Sequence, residues 1–271
     1  MLDLSSFFIF VFMINNKPIG LFDSGIGGTS IWSAINNLLP NEETIYLADS
    51  KNAPYGKKTK DEIIELCYKN TEFLLNQNCK LIVVACNTAT TNAIVELRLK
   101  YKIPFIGIEP AIKPAANNSK TQTVGILATQ GTLNSELFNK NLEQFHETKI
   151  IEQIGHGLVE LIENGEINSA KTNQLLQNYL QPMIDQNIDY LVLGCSHYPY
   201  LISQIENILP KSIKIIDSGE AVAKQTKIVL ETTIGLNETK IKKKPLFYSN
   251  TSTKVLSEIL ENKYAVIYKD F

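Results

Sequence analysis

The chain alternates short continuous apolar runs with longer stretches in which apolar residues recur at helical spacing. A short apolar run bounded by turn residues is typical of a strand buried on both faces of a parallel sheet, and the helical spacing is typical of amphipathic helices that cover those faces. The pattern therefore predicts an α/β protein. The predicted strands are 18–22, 44–48, 81–85, 104–108, 123–128, 190–194, 213–216 and 245–249.

Amphipathic helices are predicted between most of these strands. A capping-box pattern formed by Thr59 and Glu62 marks the start of one of them. The stretch that begins at Ile151 carries no clear period and is interpreted as variable. The predicted helices are 31–38, 59–77, 90–99, 133–142, 158–165, 170–186, 201–209, 221–230 and 254–260.

Two predicted strands end in the same way. The run 81–85 leads into Cys86-Asn87-Thr88, and the run 190–194 leads into Cys195-Ser196-His197. In each half, a strand, a turn and a helix precede the strand that ends on cysteine, which indicates an internal duplication. We therefore predict two similar doubly wound parallel-sheet domains related by pseudo-symmetry, with the active site in the cleft between them. The expected domains are 1–110 together with 217–271, and 111–216.

Composition and charge narrow the function classes. A hydrophobic content of 44% in 271 residues is enough for a sizeable core, which excludes a disordered chain. A net charge of −2 lacks the excess of basic residues that nucleic-acid binding favours, so no nucleic-acid partner is expected. Four cysteines without a CxxC pair, and only three histidines, favour neither a structural metal nor a disulfide framework. A reducing compartment, the cytoplasm, is therefore expected.

The amino terminus is apolar and aromatic from Phe7 to Ile14. This run is shorter than the roughly 20 residues that a membrane span needs, and it lacks the positive flank and cleavage site of a signal peptide. No membrane partner is therefore expected. Met13 precedes a polar stretch, so residues 1–12 are interpreted as an over-extended start, and an extension packed on the surface is the alternative.

The two matching cysteines are the candidate catalytic residues. A thiol at the carboxyl end of a strand and the amino end of a helix lies among unpaired N–H groups, a setting that lowers its pKa. Asp23, at the end of the first strand, and His197, two residues after Cys195, are placed to orient the two thiols. Each residue also has a structural explanation: a buried small side chain for either cysteine, a turn cap for Asp23, and a loop residue for His197.

Two thiols that flank one carbon atom would suit inversion of an α-amino acid. The Cα proton is weakly acidic, so inversion needs a base on one face and an acid on the other. One thiolate takes the proton and the opposite thiol returns one, which requires the two sulfurs to lie across an amino-acid-sized gap. From the residues alone, a non-catalytic amino-acid-binding module and a redox dithiol protein remain open.

Ordered motifs from Ile19 to about Glu220 resemble the glutamate racemase family. They are Ile19 to Gly28, Tyr46 to Ser50 with Pro54-Tyr55-Gly56, Ala85 to Ala89, Thr129 to Thr132, Leu193 to Pro199, and Ile216 to Glu220. The resemblance implies cofactor-independent interconversion of L- and D-glutamate, which supplies D-glutamate for peptidoglycan, usually by a homodimer. Aspartate racemase of the same superfamily is the nearest alternative.

The resemblance also implies roles for particular residues. Cys86 and Cys195 are the implied proton donor and acceptor, assisted by Asp23 and His197. Ser196 stands where the family typically has threonine and keeps the hydroxyl, and Tyr200 stands where an aliphatic residue is common. Glu163, by loose alignment, and Thr129 are possible auxiliary residues, and no metal or cofactor is implied. The implied substrate contacts are Asp23, Ser24, Tyr55, Gly56, Asn87, Thr88, Ser196 and His197.

Overall fold

A computed structural model describes residues 15–239 and 244–271 of the chain. The prediction for the apolar stretch 7–14 and the interpretation of residues 1–12 as an over-extended start fall on residues outside these ranges. Within the described ranges, no helix has the length and apolar character needed to cross a membrane.

The first sheet has six parallel strands. Its central strands, β1 and β3, are fully buried, as their continuous apolar runs predict. The spatial order is β10-β9-β2-β1-β3-β4. The strands are β1 (Ile19–Asp23), β2 (Thr44–Ala48), β3 (Leu81–Val84), β4 (Phe105–Gly107), β9 (Leu246–Ser249) and β10 (Val266–Tyr268).

The second sheet has four parallel strands. Their spatial order is β6-β5-β7-β8, so its first strand again lies between its second and third strands. The strands are β5 (Thr123–Ala128), β6 (Lys149–Ile154), β7 (Tyr190–Gly194) and β8 (Lys214–Ile216). The order β2-β1-β3-β4 in the first sheet and β6-β5-β7-β8 in the second is the same path repeated, which confirms the predicted pair of similar parallel-sheet domains.

Helices connect the strands. The capping box predicted at Thr59 and Glu62 is present at the start of α2. The chain passes from the first sheet to the second after β4 and returns after β8. Close to these two points, Ser218 Oγ donates to the carbonyl oxygen of Glu109. The helices are α1 (Thr29–Leu38), α2 (Lys60–Asn76), α3 (Asn87–Lys100), α4 (Ile112–Asn118), α5 (Gln130–Leu133), α6 (Glu136–Leu142), α7 (Leu158–Glu163), α8 (Ala170–Asp185), α9 (Ile202–Ile208), α10 (Gly219–Val229) and α11 (Lys254–Ile259).

Several elements differ from the sequence prediction. The stretch interpreted as variable begins inside β6, and neither β6 nor the last strand, β10, was predicted. Both are edge strands whose residues are largely half-buried or exposed, so neither shows a continuous apolar run. The predicted helix 133–142 is two helices, because the Ser135 side chain accepts from the Phe138 N–H and begins α6 anew. Helix α3 begins at Asn87, three residues earlier than predicted.

Candidate active site

The carboxyl ends of the central strands of both sheets meet at one cavity. In each sheet this is the point where the first and third strands lie side by side and their connections leave in opposite directions, the usual ligand site of a doubly wound fold. The cavity has a volume of about 230 Å³. We call it the inner cavity, and it is lined by Ser24, Pro54, Tyr55, Gly56, Cys86, Asn87, Thr88, Thr129, Val159, Cys195, Ser196 and His197.

Both candidate thiols line this inner cavity. Cys86 follows β3, the third strand of the first sheet, and Cys195 follows β7, the third strand of the second. Both are buried, and both are free thiols. The duplicated topology therefore brings the two strand–cysteine units to one cavity from opposite sheets.

Cys86 caps the amino end of α3. Its Sγ accepts from the backbone N–H of Ala89 at 3.5 Å and lies 3.5 Å from Ser24 Oγ. Burial, followed by the negative charge of Asp23, nonetheless raises the pKa of Cys86. The sequence prediction that the helix terminus would lower this pKa is therefore wrong for Cys86. One weak N–H contact stabilises a thiolate less than desolvation and a nearby carboxylate destabilise it.

Cys195 lies beside His197, which in turn contacts Glu163. His197 Nδ1 is 3.9 Å from Cys195 Sγ, and His197 Nε2 is 2.6 Å from Glu163 Oε1. Burial alone would lower the pKa of His197. Its hydrogen bonds to Cys195 and Glu163, together with the charge of Asp23, outweigh burial and hold this pKa well above its ordinary value. Glu163, aligned only loosely in the sequence, therefore lies in direct contact with the site.

Asp23 is fully buried at the end of β1. Its Oδ2 accepts from the backbone N–H groups of Gly25 at 3.1 Å and Gly28 at 3.0 Å, and its Oδ1 accepts from Ser196 Oγ at 3.0 Å. Burial raises the pKa of Asp23, and the positive charge of His197 is the largest opposing effect. Asp23 thus accepts hydrogen bonds from the glycine-rich turn after β1 and from Ser196 in the second half of the chain. It makes no hydrogen bond to Cys86 and raises the pKa of that thiol through its charge.

The glycine-rich turn after β1 accommodates side chains from the second half of the chain. A Cβ at Gly25 would overlap the Glu163 carboxylate, and a Cβ at Gly27 would overlap the His197 ring. Ile26 N–H donates to Glu163 Oε1 at 2.7 Å. These glycines therefore allow a close approach between backbone and side chains.

Tyr55 and Gly56 belong to a loop that follows β2. The Tyr55 hydroxyl donates to the buried carboxylate of Asp49 and accepts from Asn70 Nδ2 at 3.1 Å. Asn250 Nδ2, from the end of β9, donates to the other oxygen of Asp49 at 2.5 Å. Asp49 was not predicted as a site residue, although it lies within a motif that carried the resemblance.

Asn87 and Thr88 begin α3 at the floor of the inner cavity. The Asn87 side chain is 1% exposed, and neither its Oδ1 nor its Nδ2 has a hydrogen-bond partner. Thr88 Oγ1 lies 2.7 Å from Thr129 Oγ1, so hydroxyls from both halves meet. A buried amide without partners is costly in a folded protein, and it is placed to serve a polar ligand in the cavity.

Two other residues line the inner cavity without having been predicted there, Pro54 and Val159. Val159 lies in a predicted helix, and no sequence signal indicated which face of that helix would reach the site. Ser50 was also missed; its Oγ donates to Glu163 Oε2 at 2.8 Å.

Comparison with known proteins identifies the family of the chain. The sequence profile of the Asp/Glu/hydantoin racemase family matches residues 19–226. The chain belongs to this family. As a member of the Asp/Glu/hydantoin racemase family, the chain is an isomerase that inverts a stereocentre.

Individual members of the family resemble the chain over most of its length. The glutamate racemase of Ralstonia pickettii is 48% identical over 208 residues, which are 76% of this chain and 74% of that protein. The structure of Escherichia coli glutamate racemase, in complex with L-glutamate and the activator UDP-MurNAc-Ala, has a TM-score of 0.83 and 31% identity, over 93% of this chain and 97% of that one. The Francisella tularensis enzyme, in complex with D-glutamate, has a TM-score of 0.80 and 29% identity, over 94% and 98%.

Proposed function

We propose that this chain interconverts L- and D-glutamate by proton transfer at Cα between two thiols, without a cofactor. The observation that carries the proposal is that Cys86 and Cys195, each following the third strand of its sheet, line the same inner cavity. The names of the similar proteins and the bound L- and D-glutamate in two of the similar structures support glutamate as the substrate. The product D-glutamate would supply peptidoglycan synthesis.

The two thiols differ in their surroundings, and this difference assigns their starting roles. His197 Nδ1 faces Cys195, so the imidazolium, which Glu163 stabilises, donates towards Sγ and favours the thiolate of Cys195. Cys86 is buried and close to the charge of Asp23, which favours its thiol form. Cys195 is therefore the base and Cys86 the acid at the start of one direction.

Proton transfer then proceeds in two balanced steps. The Cys195 thiolate takes the Cα proton and becomes a thiol, and the bonding pair of that C–H bond remains on the substrate as an enolate-like carbanion. The Cys86 thiol gives its proton to the opposite face of Cα and becomes a thiolate. The substrate is inverted, the total number of protons is unchanged, and the reverse direction starts from the exchanged protonation states.

Substrate contacts are proposed for the polar groups that face the inner cavity. The unpartnered Asn87 amide offers a donor group, Nδ2, and an acceptor, Oδ1, which match a carboxylate oxygen and an ammonium hydrogen of an amino acid. The remaining proposed contacts that line the cavity are Ser24, Tyr55, Gly56, Thr88, Thr129, Ser196 and His197. Asp23, also predicted as a contact, does not line the cavity and reaches it through Ser196, whose Oγ donates to Asp23 Oδ1.

The proposal extends to the setting of the enzyme. We expect the chain to work as a homodimer in the cytoplasm, with neither nucleic acid nor membrane as a partner. Four free cysteines support a reducing compartment. The proposed domain boundaries are 1–110 with 217–271, and 111–216; the first sheet takes its strands from the former ranges and the second from the latter.

The test is racemisation in D₂O without added cofactor. Purified protein with L-glutamate should incorporate deuterium at Cα and lose optical signal, and Cys86→Ser or Cys195→Ser should abolish the loss of optical signal. Cys79→Ala, a buried thiol that does not line the cavity, is the matched control and should remain active. Inversion that persists in both serine variants would refute the two-thiol mechanism, and preferred turnover of aspartate would refute the substrate.

A further inference from the structure

A second cavity lies outside the inner cavity and continues it. It has a volume of about 310 Å³ and shares Pro54, Gly56, Thr129 and Val159 with the inner cavity. We call it the vestibule. Its remaining walls are Lys57 on the loop after β2, Gln130 at the start of α5, and residues of the segment from Ile154 to Glu160 that leads into α7. Because the four shared residues form a common wall, a molecule in the vestibule is next to the inner cavity.

An ion pair joins two walls of the vestibule. Lys57 Nζ lies 2.5 Å from Glu160 Oε1, so the loop from the first half of the chain is joined to α7 from the second half. The lysine side chain is 65% exposed and the glutamate side chain 33%. Only the lysine end of the pair is well exposed, so Lys57 can leave it and remain hydrated, whereas the buried Glu160 Oε1 would lose its counter-ion.

The charges around the inner cavity disfavour an anionic substrate. Asp23 and Glu163 are two carboxylates against the single imidazole of His197. Among the described residues that line the inner cavity or the vestibule, Lys57 is the only lysine or arginine. A dicarboxylic amino acid carries a net negative charge, so it meets its one permanent cation at Lys57.

We infer that the vestibule is an outer subsite for the carboxylate of an acidic amino acid, with Lys57 exchanging Glu160 for the substrate. In the closed arrangement Lys57 is paired with Glu160. When substrate arrives, its carboxylate replaces that of Glu160, and the lysine charge offsets the negative charge of the inner cavity. Glu160 thus competes with the substrate for the same cation. This inference rests on the proposed function, because it takes the substrate to be an acidic amino acid.

Two single substitutions separate this subsite from a purely structural contact. Lys57→Gln removes the attracting charge, so KM for glutamate should rise about three- to tenfold with kcat unchanged, since the lost interaction is common to the ground state and the transition state. Glu160→Gln removes the competitor, so KM should fall or stay constant, never rise. If the pair served only to hold the two halves together, both variants would break it and both would change KM in the same direction.

Salt dependence supplies a second readout. Attraction to Lys57 should make kcat/KM of the wild type fall as ionic strength rises, and Lys57→Gln should flatten this dependence. Lys60 is the matched control, because it also pairs across the two halves, with Glu136 at 3.8 Å, but does not line the vestibule. Lys60→Gln should keep the wild-type KM and salt dependence.

The outcomes also separate this inference from the proposed function. A wild type that racemises glutamate, with equal effects of Lys57→Gln and Glu160→Gln on KM, would overturn the subsite and leave the proposed function intact. A wild type that does not act on glutamate or aspartate would overturn both.

Discussion

His197 Nε2 lies 2.6 Å from Glu163 Oε1, although the two residues belong to different elements. The Glu163 carboxylate also accepts from Ile26 N–H and from Ser50 Oγ, so it is held in place by the first half of the chain. An ionised carboxylate only accepts hydrogen bonds, so Nε2 must carry a proton, and the other ring nitrogen, Nδ1, faces Cys195. The 3.3 Å approach of the Gly27 N–H to Nε2 is therefore a packing contact.

This contact makes stability depend on pH in a defined direction. The folded-state pKa of His197 lies above its unfolded value of about 6.5, so the imidazolium stabilises the folded state fully below about pH 6.5, and this contribution is lost as pH rises towards the folded pKa. Glu163→Gln removes the carboxylate charge that raises this pKa. The difference in unfolding free energy between wild type and Glu163→Gln should therefore be largest in acid and shrink above about pH 6.5.

Denaturant unfolding at a series of pH values measures that difference. Glu166→Gln is the matched control, because Glu166 is an exposed glutamate just beyond the same helix, and its effect should not vary with pH. A Glu163→Gln effect that is the same from acid to alkaline pH would mean that Glu163 does not keep His197 protonated.

Asn87→Ala should separate stability from activity. The substitution removes a buried amide that has no partner in the folded protein, so the unfolding free energy should stay within about 1 kcal/mol of wild type or rise. The proposed contact with substrate is lost at the same time, and kcat/KM should fall at least about tenfold. Parallel denaturation and racemisation assays check both effects. Loss of stability with full activity would assign Asn87 a structural role instead.

The sequence predicted the parts of the fold that have strong local signals. Buried strands such as β1 and β3 are continuous apolar runs, and the α2 start carries its own capping box, so both could be predicted without tertiary information. The edge strand β6 reads Lys-Ile-Ile-Glu-Gln-Ile, a mixture that neither alternates nor stays apolar. Its pairing with β5 comes from its neighbour in the sheet rather than from its own composition.

The candidate site was likewise predictable from the sequence only in part. Cys86 and Cys195 were predictable because the strand–cysteine pattern is repeated, and the inner cavity contains both. The direction of the Cys86 pKa was predicted wrongly, because a helix terminus is visible in a sequence but the burial of the thiol and its proximity to Asp23 are not. Val159 was missed for a related reason: its helix was predicted, but the face that meets the cavity depends on packing.

Gly27→Ala tests the close approach of the two halves. An added Cβ would overlap the His197 ring, so the imidazole must move away from Cys195. We expect kcat to fall at least about tenfold, because small displacements of a catalytic group are costly. Gly219→Ala is the matched control, since a Cβ there meets its nearest atom, Asp217 Oδ1, at 3.1 Å and no site residue. Wild-type kcat in Gly27→Ala would contradict the proposed role of His197.

The last prediction concerns a buried ion pair at the amino ends of the strands of the first sheet, the end opposite to the inner cavity. Lys80 Nζ lies 2.8 Å from Glu42 Oε2, and the two side chains are 1% and 2% exposed. Lys80 Nζ also donates to the carbonyl oxygen of Gly235 at 3.1 Å, while Glu42 Oε1 accepts from the Asn237 N–H at 2.8 Å. The pair thus attaches the segment after α10 to the amino ends of the strands.

Removing one partner leaves the other charge buried without a counter-ion. Lys80→Met should therefore lower the unfolding free energy by about 3 to 5 kcal/mol, whereas Lys254→Met, in an exposed pair with Glu258, should change it by less than about 1 kcal/mol. In the double variant Lys80→Met/Glu42→Leu no buried charge remains, so its loss should be smaller than the sum of the two single losses. Denaturant unfolding of the wild type, Lys80→Met, Glu42→Leu, the double variant and Lys254→Met measures these losses. Additive losses would show that the two charges do not depend on each other, and that the attachment comes from their separate backbone contacts.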